Sequence, residues 1–84
     1  MTRKDLIDEI THVLKVTGTP ISKVQVTAVL DGLASITTRE LMANRVMHLP
    51  RIGGLQPVSG QQGERNGVMF HPWPALDDAL NLNP

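Results

Sequence analysis

The sequence predicts an α+β domain: two N-terminal helices, a three-stranded antiparallel sheet and a short C-terminal helix. Three observations carry this. Residues 1–44 repeat apolar side chains at helical spacing, in two runs separated by Gly18-Thr19-Pro20. Residues 45–71 instead hold short apolar runs broken by Pro50, Gly53-Gly54, Pro57 and the polar stretch S-G-Q-Q-G-E-R-N-G, which is the punctuation of strands and turns. Residues 72–84 place Leu76 and Leu80 four apart behind Pro74, a pattern that suits a short helix with proline in its first turn. One domain over 1–84 is expected, with a helical part (1–44), a sheet with a short arm (45–71), and a C-terminal helix and tail (72–84).

The first helix is expected to begin after Thr2. Thr2 and Asp5 have capping-box spacing. Leu6, Ile7, Ile10, Val13 and Leu14 form one apolar stripe, and Asp5, Asp8 and Glu9 sit where the helix dipole favours negative charge. Gly18 ends it. Ser22 and Gln25 form a second capping box just after Pro20. The long helix that follows carries Val26, Val29, Leu30, Leu33, Ile36, Thr37 and Leu41 on one arc, and Asn44 suits a left-handed C-cap.

Met47 to Leu49 reads as the first strand. Pro50 and Gly53-Gly54 mark tight turns, and Leu55 to Val58 is the second strand, with Pro57 assigning it to an edge or a bulge. Asn66-Gly67 is a hairpin-turn signal. Gly67 to His71 is the third strand, with Phe70 expected inward. Trp73 is expected to cover the edge of the core.

Composition narrows the function. Eighty-four residues with Phe70 and Trp73 as the only aromatics build a thin core, and a partner subunit is the usual remedy. There is no cysteine, hence no disulfide and no thiolate metal site. No apolar run approaches the roughly 20 residues of a membrane span. Thr2 to Asp5 is too polar for a secretory signal. A soluble cytoplasmic protein is expected. No Gly-rich phosphate loop, nucleophile elbow or H-E-x-x-H occurs. His12, His48 and His71 lack zinc spacing. No catalytic residue, metal or cofactor is therefore expected.

The formal net charge is zero, whereas dedicated DNA binders usually carry a basic excess. The distribution is uneven. Residues 1–40 hold five basic and five acidic side chains, while Arg45, Arg51 and Arg65 stand against Glu64 alone between Leu41 and Leu76. The sheet region is mildly positive, and His48 and His71 add to it at lower pH.

Three segments carry a family resemblance. H-L-P-R-I-G-G-L resembles the L-P-G-F-G-T-F segment of the bacterial HU and integration host factor family of DNA-bending proteins. F-H-P-W-P-A-L-D-D-A-L-N resembles that family's F-K-P-G-K-A-L-K-D-A-L-N ending, and M-T-R-K-D-L-I-D-E-I is similar to its M-T-K-K-E-L-I-D opening. The matches fall in the family's order and cover most of the chain.

The resemblance implies double-stranded DNA as partner, a nucleoid-associated location, and an intertwined homodimer. The expected dimer interface is Val26, Val29, Leu30, Leu33, Thr37, Leu41 and Phe70, with Thr37 where the family usually has an apolar residue. It implies phosphate contact by the backbone of the turn Arg51-Ile52-Gly53, and by Arg3, Lys4, Arg45, Arg65 and His71. The departures matter as much. The family's long β-ribbon arm, whose tip proline kinks the duplex, corresponds here to the nine residues Ser59 to Gly67, with Gly67 in the place of that proline. Three family lysines are His71, Pro74 and Asp77 here. The expected function is therefore weak, sequence-independent phosphate binding with little bending. The alternative is a protein-interaction module that has lost DNA binding and pairs, for example, with a true HU or integration host factor relative. A chain this short and charge-neutral suits a phage or prophage.

Overall fold

The computed structural model describes residues 1–61 and 63–82. The elements run α1 (Arg3–Val16), α2 (Lys23–Met42), β1 (Met47–Leu49), β2 (Gly53–Val58), β3 (Gly67–Pro72) and α3 (Pro74–Asn81). This is the expected α+β order. The chain groups into two compact units, Met1–Ile36 and Thr37–Pro84, and each is described by itself.

In the N-terminal unit both capping boxes form. The Asp5 amide donates to Thr2 Oγ1 at 3.2 Å and the Thr2 amide to Asp5 Oδ2 at 3.1 Å. The Gln25 amide donates to Ser22 Oγ at 3.1 Å and the Ser22 amide to Gln25 Oε1 at 2.9 Å. An N-cap of this kind is worth about 1 kcal/mol. Helix α1 stops in a Schellman motif: Gly18 adopts φ 92, and the Thr19 amide donates to the Leu14 carbonyl at 2.8 Å. Ile7, Ile10 and Leu14 are half-buried on α1. Val26 is 2% exposed, so it is already covered by its own chain before any partner arrives.

The C-terminal unit begins with the end of α2. The Asn44 amide donates to the Leu41 carbonyl at 3.0 Å and the Arg45 amide to the Glu40 carbonyl at 2.9 Å, with Asn44 at φ 59. This is again a Schellman stop, with asparagine tolerating the left-handed position. The sheet that follows is antiparallel with order β1-β2-β3.

Four strand-level expectations are corrected. Gly53-Gly54 is not a turn but the start of β2, paired with Leu49 and His48 on one side and Pro72 and His71 on the other. The turn lies earlier: the Ile52 amide donates to the Leu49 carbonyl at 3.0 Å, across Pro50 and an Arg51 at φ 64. Second, β2 is the central strand despite Pro57. The conflict resolves because β1 pairs only with residues 53–55, so β2 has a neighbour on one side only at Pro57 and the missing N–H costs no ladder bond. Third, Asn66-Gly67 is not the hairpin turn. Gly67 opens β3 opposite Val58, and the Asn66 side chain accepts from the Gly60 amide at 3.0 Å, closing the loop at its base. The positive φ falls at Gly63, 77 degrees. Fourth, β3 extends one residue further, to Pro72.

Gly53 is glycine for want of space. A Cβ there would lie 2.3 Å from the His71 carbonyl oxygen and 2.8 Å from the Phe70 ring, on a backbone at φ 155. At Gly54 the nearest atom would be His48 Nδ1 at 3.6 Å, an ordinary contact. Gly53→Ala should therefore destabilise the protein by about 2–3 kcal/mol through overpacking and strain, and Gly54→Ala by well under half of that. Urea denaturation of the two variants checks this, and equal midpoints would refute it.

Helix α3 begins with Pro74 after an N-cap at Trp73 that lacks a side-chain bond. The Trp73 amide donates instead to the Ile52 carbonyl at 2.8 Å, which ties the start of α3 to the β1–β2 turn. Among the described residues no helix is long and apolar enough to cross a membrane.

Candidate nucleic-acid interface

Alternation and register divide the sheet into two faces. Met47, Leu49, Leu55, Pro57, Val68 and Phe70 share the apolar one. Phe70 was expected inward, and it does lie on this face with its ring against Gly53. Its own chain does not enclose it, however, since it remains 46% exposed.

The opposite face carries His48, Gly54, Gln56, Met69 and His71. Gly54 pairs with His48 on one side and His71 on the other, so two imidazoles flank a position without a side chain. His48 leans over that gap. His71 Nε2 donates to Gln56 Oε1 at 2.9 Å. The edge of this face opens into a cleft of about 540 Å³, lined by His48, Arg51, Gly54, His71 and Trp73 together with apolar side chains and prolines. Among the described residues no carboxylate lines it.

Arg51 holds the rim. Proline at the second place of the turn and a positive φ at the third is the type II arrangement, which asks for glycine where Arg51 stands. A non-glycine residue in the left-handed region costs roughly 1–2 kcal/mol, and such cost at one exposed position points to a use for the side chain. Arg51 has no ion-pair partner among the described residues.

The remaining sequence-predicted cations are placed less favourably. Arg3 is paired with Asp31 at 2.8 Å. Arg45 donates from Nε to Glu40 Oε2 at 2.8 Å. Lys4 contributes to holding the Asp8 carboxyl below its ordinary pKa, an effect due first to the hydrogen bond from Lys23, whose Nζ lies 2.9 Å from Asp8. Exposed pairs like these are worth little in stability, but they leave less free charge for a polyanion. Arg65 is exposed in the hairpin loop. The structure thus brings together Arg51, Gly53 and His71 of the expected set. It does not bring Arg45 or Arg65 to that cleft, and Arg3 and Lys4 belong to the other unit.

Two cleft residues were not legible as site residues. Trp73 was expected at the edge of the core but is 46% exposed and forms a wall of the cleft. His48 enters through the strand register, which places it beside Gly54, and hydropathy alternation gives only its face. Among the described residues no cluster of three or more histidine, aspartate or glutamate side chains could hold a metal ion.

Comparison with known proteins gives a result at the level of structure. No family model matches the sequence, and no curated protein sequence matches it. Solved structures do match. A point mutant of HU from Thermotoga maritima superposes with a TM-score of 0.73 at 25% sequence identity, covering 95% of this chain and 99% of that one. With its three helices and three-stranded antiparallel sheet, the chain is an HU-like protein in its fold.

Proposed function

We propose that this chain binds duplex DNA as a homodimer, weakly, through phosphates, without sequence readout and with little bending. The observation that carries the reading is Arg51, held at φ 64 beside a cleft that contains two imidazoles and, among the described residues, no carboxylate. Phosphate contacts of this kind position a protein on DNA but do not specify sequence. The homodimer rests on apolar side chains that one chain leaves uncovered: Val29 at 65%, Leu33 at 39% and Ile36 at 43% exposed along α2, with Val68 and Phe70 on the sheet. Leu30, Thr37 and Leu41, the other α2 positions of the expected interface, are only half-buried by their own chain. The direct test is a fluorescence anisotropy titration with duplex DNA at low and moderate salt.

Little bending is proposed because the loop between β2 and β3 spans only 59–66 and contains no proline to wedge between base pairs. A duplex labelled at both ends for energy transfer should keep its end-to-end distance at saturation. Marked shortening on binding would show that another part of the surface kinks DNA.

A second reading is favoured by one specific observation. Two of the expected phosphate-binding cations, Arg3 and Arg45, are engaged by Asp31 and Glu40 in a chain of zero net charge. This suits a protein-interaction module on the same fold, pairing for example with another HU or integration host factor relative. Absence of duplex binding at low salt and pH 6 would end the DNA reading and make this the one to pursue.

A further inference from the structure

We infer that His48 and His71, flanking Gly54 and backed by Trp73, form a proton-armed phosphodiester subsite beside Arg51. The inference rests on the DNA-binding reading and adds to it a site and a control.

Three features of the structure support it. The register sets the two imidazoles on the same face, one on each side of a residue without a side chain. An anion can therefore approach between them without meeting a Cβ branch. Both imidazoles and Arg51 line one cleft, so their charges act on the same volume. The cleft also has an apolar wall, including the indole of Trp73, which lowers the local dielectric and strengthens a charge-assisted bond to an oxyanion.

The surrounding charges leave histidine as the variable. Arg51 is the fixed cation of the cleft. Gln56, bonded to His71, is neutral. The other charged groups of this unit are Arg39, Glu40, Arg45, Glu64, Arg65, Asp77 and Asp78, and none of them lines the cleft. Glu40 is held by Arg45. Histidine is the side chain that changes charge between pH 5 and 8. The cleft holds two side chains of this type in one chain, and four in a homodimer. A phosphate between the rings stabilises the protonated forms, so binding takes up protons and tightens as pH falls.

Counterion release sets the size of the effect. Each phosphate neutralised adds roughly 0.9 to the slope of log K against log salt. Four imidazoles in a dimer that are partly used on DNA should steepen the slope by about 2–3 between pH 8 and pH 5.5. Affinity at moderate salt should rise at least about 10-fold over the same interval.

The experiment is an anisotropy titration of a labelled duplex over a range of salt, at pH 8 and pH 5.5. It compares the unmodified chain with His48→Gln, His71→Gln, the double variant, and His12→Gln on α1 as control. Circular dichroism at both pH values confirms that each protein is folded. Glutamine keeps a polar side chain and cannot gain charge. Each single variant at the cleft should lose part of the pH response, the double variant nearly all of it, and the control none. A pH response that survives the double variant, or that disappears with His12→Gln, overturns the subsite. Duplex binding that does not depend on pH also overturns it while leaving the DNA-binding reading standing. Absence of duplex binding at both pH values overturns the two together.

Discussion

Leu33→Glu should abolish assembly and with it most of the folded population. The argument turns on exposure. Leu33 lies in the middle of the arc that α2 presents and is 39% exposed in one chain. In a monomer, a glutamate at such a position would reach water and cost little, about 0.5 kcal/mol or less, as surface substitutions do. In a dimer closed over this arc, the same glutamate is forced into an apolar contact without a partner, at a cost of about 3–5 kcal/mol. A domain of this size has only several kcal/mol to lose. The two cases are therefore well separated. Sedimentation equilibrium at micromolar concentration should give a dimer for the unmodified chain. The variant should sediment as monomer and lose helical circular dichroism. An unmodified chain that stays monomeric over that range, or a folded Leu33→Glu of ordinary stability, would remove the dimer proposal.

The helices were legible because their signals are local. Thr2 with Asp5, Ser22 with Gln25, Gly18 and Asn44 each act through a hydrogen bond or a backbone angle within one turn, and all four form as read. The sheet was legible in its strands but less so in its punctuation. Gly53-Gly54 has the composition of a turn, yet its role is set by the Phe70 ring and the His71 carbonyl, which come from a strand more than a dozen residues later. Pro57 in a central strand is acceptable only because β1 is three residues long, a fact of the partner strand and not of Pro57. The same limit applied to the candidate site. Arg51 and His71 could be singled out by their place in family-like segments. Trp73 and His48 joined them only through the pairing of three strands, and the ion pairs that occupy Arg3 and Arg45 link side chains whose geometry no local pattern encodes.

Arg51 is where stability and binding should separate. Arg51→Gly places the residue type that a type II turn asks for at φ 64. Relief of the left-handed strain should contribute roughly 1–2 kcal/mol, and the extra freedom of glycine in the unfolded chain should offset about 0.5–1 of it. The variant should therefore be more stable by about 0.5–1 kcal/mol, visible as a higher urea midpoint at unchanged slope. Its DNA binding should move the other way. If each subunit of the dimer contributes Arg51 and one or two other cations, the slope of log K against log salt should lie at about −3.6 to −5.4 in the unmodified protein. Removing both copies of Arg51 makes it shallower by about 1.8 and weakens binding alike for every duplex sequence. Arg51→Ala should show the same loss of binding without the gain in stability, because alanine retains the strain. Arg51→Lys should retain most of the slope, since a point charge suffices for phosphate. Arg39→Ala removes a charge from α2 outside the cleft and should matter less. A glycine variant that binds as tightly as the unmodified chain would show that the strained arginine serves something other than phosphate contact.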